Sequence, residues 1–255
     1  MPDHELPASV RAALWGTEVL RGRLPARDLP RRALPDVDAT FGLVEQVRLW
    51  RDLGERTLLV ALPRPGDLAG MPQGSPDLLA AATRAEECLF VPALGGALVP
   101  ELETFGPAGD RGWRATWTAH PAAPVPTHRV EALDLGQTEL RLRQDLAALT
   151  EELVSAGAPP FGAVADRSGA RAREAGRGTA VWGLPDRVPP RTLRVVQLAG
   201  TVLAMADAGL ESAPHSVDTV SVVRRDEVLR RLRSLASRAL AEATNAAALH
   251  LGYRA

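Results

Sequence analysis

Hydrophobic positions along the 255-residue chain change their period near its middle. In the first half they come in short runs and alternations, and in the second they recur every three or four residues, so a sheet-bearing half followed by a helical half is expected. Near the start, Val10, Ala13, Leu14 and Trp15 fall at helical spacing after Pro7 and Ser9, which predicts a first helix over residues 8–20. Pro25, Pro30 and Pro35 follow; each ring removes a donor and restricts the residue before it, so this stretch is expected to wrap in short turns. Residues 41–50 fit either a helix through Val44, Val47 and Trp50 or a strand through Val47 and Leu49. The apolar run 57–62 predicts a buried strand ended by Pro63. A Gly- and Pro-rich loop over 64–74 then leads to Ser75, an N-cap with proline in the first helical position, and a helix to residue 85.

Residues 87–91 and 97–105 read as two further strands. After a turn over 106–111, Trp113, Ala115 and Trp117 alternate with Arg114, Thr116 and Thr118. A hairpin follows, with Phe105 opposite Gly112, Glu103 opposite Arg114 and Glu101 opposite Thr116. Both tryptophans are expected on the buried face, which sends Arg114, Thr116, Thr118 and His120 to the other.

The proline-rich stretch 121–126 reads as a linker, giving an α+β domain over 1–120, a linker over 121–130 and a helical domain over 131–255. Three helices are expected beyond it. Leu142, Leu146, Leu149 and Leu153 mark one over 137–156. Leu193, Val196 and Leu203 mark another over 191–208, apolar nearly all round and therefore central. The last, over 224–250, carries a narrow seam of Leu229, Leu232, Ala236, Ala239, Ala243 and Ala246. Between the first two, residues 160–189 have no periodicity, and 167–178 are expected to be mobile and protease-sensitive. The predicted class is α+β: a small, mainly antiparallel sheet with flanking helices, and a helical C-terminal domain packed against it.

Composition removes whole chemistries. The chain has no lysine and no isoleucine, all 30 basic residues are arginine, and Asn245 is its single asparagine. The missing residues share A/T-rich codons, which points to a bacterial genome of high G+C content. Without lysine there is no Schiff base, no P-loop lysine and no kinase Lys–Glu pair. Cys88 is the lone cysteine, so internal disulfides and multi-cysteine metal sites are excluded, and neither a metal nor a cofactor is expected. The net charge of −1 attracts no polyanion. An acidic N-terminal stretch and the lack of a continuous run of about 18 apolar residues point to a cytoplasmic protein without a membrane segment.

Two places carry candidate chemistry. The Gly-rich loop before a helix N-terminus brings Arg64, Gly66, Asp67, Gly70, Gly74 and Ser75 together, and free amides, an arginine and a hydroxyl suit a small anion. The loop matches no nucleotide-binding pattern, and a turn shaped by Gly and Pro over an ordinary N-cap is the favoured explanation of it. The hairpin's polar face offers Glu101, Glu103, Arg114 and His120 for acid–base chemistry, or simply a solvated face with one cross-strand ion pair. Arg224, Arg225, Arg230, Arg231, Arg233 and Arg238 crowd the last helix, but Asp226 and Glu227 precede Arg230 and Arg231 by four, which reads as a solvated face and not a nucleic-acid surface. His215 and Asp218 read as the entry to that helix. The reading these features favour is a non-catalytic interaction or regulatory protein, with a protein partner or a second copy of itself; the alternative is an enzyme or ligand-binding protein for a small anion at loop 64–75.

Overall fold

The computed structural model describes residues 6–107, 110–155, 183–211 and 219–254. Among them eight α-helices and one five-stranded sheet make an α+β fold. The first helix, α1 (Ala8–Leu20), is buried on nearly every side. Pro7 gives it no side-chain cap; the Ser9 amide instead donates to Glu87 Oε2 at 2.6 Å, setting a carboxylate at the positive end of the helix. Burial pushes the Glu87 carboxyl above its ordinary value, against the pull of Ser9 and Arg11. The proline-spaced stretch holds a 3-10 turn and the short α2 (Leu29–Ala33), and the undecided segment is a helix, α3 (Leu43–Asp52), with Leu43, Val47 and Trp50 buried. Helical spacing wins because those three residues share one face.

The strands are β1 (Ala39–Phe41), β2 (Leu59–Ala61), β3 (Cys88–Phe90), β4 (Ala97–Phe105) and β5 (Gly112–His120), in the order β1-β5-β4-β3-β2. Only β1 pairs in parallel, along β5, and this three-residue strand was invisible as a pattern. The sheet is otherwise antiparallel. Leu58, Val60, Leu89, Leu98, Ala115 and Trp117 pack with α1 and α3, while Leu59, Ala61, Phe90, Ala97 and Val99 pack with Leu78 and Ala82 of α4 (Pro76–Ala85). Burial on both faces explains the continuous apolar runs of β2 and β3. The hairpin register is the expected one, Glu103 opposite Arg114 and Glu101 opposite Thr116. Trp117 is buried as expected, but Trp113, nearer the turn, is only half-buried.

The proline-rich stretch does not hang free. Gly96 donates to the Ala122 carbonyl at 3.0 Å, Ala123 to Gln73 at 2.7 Å and Val125 to Pro92 at 2.8 Å, so the backbone is tied to the loops around it. After the short α5 (Thr127–Glu131) come α6 (Leu135–Ser155), α7 (Pro190–Glu211) and α8 (Thr219–Tyr253). Residues 167–178, His215 and Asp218 lie outside the described residues. Of the aperiodic segment, residues 183–189 are anchored: the Trp15 indole donates to the Gly183 carbonyl at 2.6 Å, and Val188 is buried. Helix α7, with a mean hydropathy of 1.3, is long and apolar enough to cross a membrane, but it buries Val195, Val196, Ala199, Val202, Leu203 and Ala206 within this fold, chiefly beside α8.

The 35-residue α8 reaches from α6 and α7 into the sheet-bearing half. Its seam residues Leu229, Leu232, Ala236, Ala239 and Ala243 are buried, with Ala246 half-buried. Further along, the Asn245 carboxamide lies on β2, an edge strand: Val60 N–H donates to Oδ1 at 2.7 Å and Nδ2 donates to the Val60 carbonyl at 2.9 Å. Leu58 N–H donates to Thr17 Oγ1 of α1 at 3.0 Å. Side chains of two helices therefore do for this edge what a further strand would do.

Candidate functional site

The residues of the Gly-rich loop are separated by the fold. Arg64 is not an exposed loop arginine: only 6% of it is accessible. Pro65 and Gly66 (φ 81°) turn the chain so that Arg64 and Asp67 exchange both backbone hydrogen bonds at 2.8 Å. That hairpin sends the Arg64 side chain inward, where Nε donates to Ser237 Oγ at 2.9 Å and Nη1 bonds Glu86. Glu86 caps the C-terminus of α4, whereas Ser75 caps its N-terminus by accepting from Leu78 N–H at 3.2 Å. The two ends of this ten-residue helix are about 15 Å apart at 1.5 Å per residue, so Arg64 and Ser75 cannot share an anion. Gly74 packs against Leu78 and the Pro121 carbonyl, and Gly70 lies against Ala61.

Around Arg64 stands a neutral cluster of two arginines and two carboxylates. Arg233 donates to both Glu86 oxygens, at 2.9 and 2.6 Å, and through Nε to Asp207 at 2.5 Å. Glu86 is the single described non-glycine residue with positive φ, 58°, a conformation two arginines hold in place. Burial lowers the Arg64 pKa, with Glu86 opposing. It raises that of Asp207 despite Arg233 and Arg64, and although it works to lower Arg233, Asp207 and Glu86 outweigh it and hold that guanidinium above its ordinary value. These charges neutralise one another, joining the loop, α4, α7 and α8.

The arginines of α8 are thus not a plain solvated face. Asp226 does lie near Arg230, at 3.9 Å, but Arg231 pairs with Glu152 of α6 at 2.8 Å, not with Glu227, and Arg238 with Asp67 at 2.8 Å. Helical spacing predicts the local pair of Arg230 with Asp226, but it could not show that Arg231, Arg233 and Arg238 meet carboxylates remote in sequence.

Asp67 marks the rim of a cavity of about 220 Å³. Its floor is Leu59, Leu62 and Phe90; Ala69 and Gly70 form one wall, and Val125, Val130 and Leu133 another. Arg238, Ala241, Glu242 and Asn245 face it at the spacing of a single side of α8. Burial would raise the Asp67 carboxyl, but Arg238 and the Ala69 amide outweigh it and hold it below its ordinary value. Neither Arg64 nor Ser75 lines this space. Arg129, Glu242 and Asn245 do; Arg129 and Glu242 did not stand out in the sequence, and Asn245 did only as its single asparagine, without a role.

On the hairpin, Glu103 and Arg114 meet at 3.1 Å with the guanidinium over the Phe105 ring at 4.9 Å. Glu101 is paired with Thr116, and His120 sits six residues from Arg114, about 20 Å along the strand. The four expected residues do not converge. Among the described residues no group of three or more His, Cys, Asp or Glu could hold a metal, and Cys88 is buried, its thiol pushed up to about 12 by burial.

Residues 9–132 match the N-terminal domain of Rv1486c-like proteins, and residues 136–241 match their C-terminal domain. The chain belongs to the Rv1486c-like protein family. No curated protein and no solved structure matches it significantly. The arginine cluster spans the two family domains, Arg64 and Glu86 in the first and Asp207 and Arg233 in the second. Glu242 and Asn245 lie just past the matched part of the second, on the stretch of α8 that packs back on the sheet side.

Proposed function

We propose that this Rv1486c-like protein is a cytoplasmic, non-catalytic interaction or regulatory protein. The observation that carries the reading is the fate of Arg64: the cation best suited to a substrate is committed to Glu86 and Ser237 inside the fold. Exposed leucines elsewhere support a partner surface. Leu49 on α3 and Leu53, the C-cap residue one turn later, are 51% and 58% exposed. The Leu94 amide donates to Glu55 Oε1 at 2.5 Å, which sets Leu94, 47% exposed, beside the end of that helix. Three exposed leucines so placed form an apolar patch of the kind used for protein contacts. A single buried thiol suits a reducing compartment.

A photo-crosslinking residue at position 49 or 53, compared with one at the exposed position 101, tests this in cells that make the protein. Adducts with a discrete partner, or with a second copy of the chain, specific to 49 and 53 are the expected result; equal labelling at 101, or none anywhere, contradicts it. The cavity beside Asp67 favours a second reading, the binding of a small molecule near the Gly-rich loop.

A further inference from the structure

The charges facing the cavity do not cancel where they stand. Asp67 and Arg238 are paired, and both polar ends of the Asn245 carboxamide are taken by Val60. Glu242 accepts from Thr138 Oγ1 at 2.6 Å through Oε2, but has no cation within ion-pair range among the described residues. Arg129, exposed on α5, has no carboxylate partner among them either. One unpaired cation and one half-buried, unpaired carboxylate therefore border the same apolar floor of Leu59, Leu62 and Phe90.

We infer that this cavity binds a small amphipathic zwitterion, an apolar amino acid being the simplest, with its carboxylate on Arg129, its ammonium on Glu242 and its side chain on the floor. A simple anion would satisfy Arg129 and leave Glu242 opposed to it; a simple amine would do the reverse. Arginine and a carboxylate make charge-assisted, often bidentate hydrogen bonds, and Glu242 Oε1, which has no partner among the described residues, can accept from an ammonium. The size agrees, since about 220 Å³ is roughly seven times the share of a liquid water molecule, too small for a nucleotide and ample for leucine. The inference is independent of the leucine patch on α3.

Calorimetric titration of the full chain with L-leucine, isovalerate and isopentylamine tests it. Leucine should bind, and each analogue lacking one charge should bind about ten- to a hundredfold more weakly, the loss expected for a charged hydrogen bond. Arg129→Gln and Glu242→Gln should weaken leucine binding by a similar factor, while Arg48→Gln on α3 should leave it unchanged. The comparison of the three compounds on wild type does not depend on how any variant folds. Absence of leucine binding at millimolar concentration, equal binding of isovalerate or isopentylamine, or leucine binding indifferent to Arg129→Gln would overturn the proposal.

Discussion

Replacing Asn245 with leucine should cost far more than its half-polar surroundings suggest. The carboxamide satisfies both polar groups of Val60, a residue 185 positions away and wholly buried. Leucine is close in size, so the change leaves little cavity but orphans one N–H and one C=O on the sheet edge. Each orphan costs roughly 1–3 kcal/mol, so Asn245→Leu should lose about 2–6 kcal/mol from a total of about 5–15. Asn245→Asp separates the two contributions: once ionised it can still accept from Val60 N–H but cannot donate, and it brings a charge into a buried position, so its deficit should grow as the pH rises from the ordinary carboxylate pKa upward. Urea unfolding followed by the fluorescence of buried Trp50 and Trp117 measures both losses. Hydrogen exchange should show residues 58–61 opening more readily in Asn245→Leu. A loss under about 0.5 kcal/mol, with exchange at 58–61 unchanged, would refute the idea that α8 completes the sheet edge.

Two further outcomes follow from single positions. The folded pKa of Glu87 lies above its ordinary value because of burial, so the native state holds this proton more tightly than the unfolded chain; stability from this group falls as pH rises from the ordinary carboxylate pKa through the raised one. Glu87→Gln should flatten that decline, and a difference in Tm between the two proteins that is constant from pH 4 to 7 would count against it. Gly42 has φ 82°, and a β-carbon there would stand 2.3 Å from the Trp117 carbonyl oxygen, whereas at Gly22, φ 72°, nothing lies within 4 Å. Gly42→Ala should therefore cost more than the roughly 1–2 kcal/mol expected of Gly22→Ala from its backbone alone, and equal losses in urea unfolding would show that the carbonyl yields freely.

What was legible in the sequence was local. Alternation around Trp113 and Trp117 fixed the hairpin register to the residue, because a one-residue slip would turn every buried side chain outward. Pro76 after Ser75 marked the start of α4, and the leucine and alanine seam marked α8. Long-range pairing was not legible. Strand β1 is three residues long and gains its identity only from β5. Arg64 reads as a loop arginine until the turn at Pro65 and Gly66 aims it at Glu86 and Ser237, which lie 22 and 173 residues away. The cavity escaped for the same reason, since its residues come from β2, β3, the Gly-rich loop, the proline-rich stretch, α5 and α8. Periodicity reports which face of an element is buried, but not which remote charge will meet it.

The denaturant midpoint of Arg64→Ala against wild type, in buffer free of small anions, tests most directly whether this residue serves the fold or a ligand. Arg64 is buried and paired, and Glu86 would keep only Arg233, so a loss of at least about 2 kcal/mol is expected, less than the roughly 3–5 for a fully buried pair because Glu86 is partly exposed. A midpoint unchanged from wild type would mean that Arg64 is a spare cation, and the Gly-rich loop would return as an anion site.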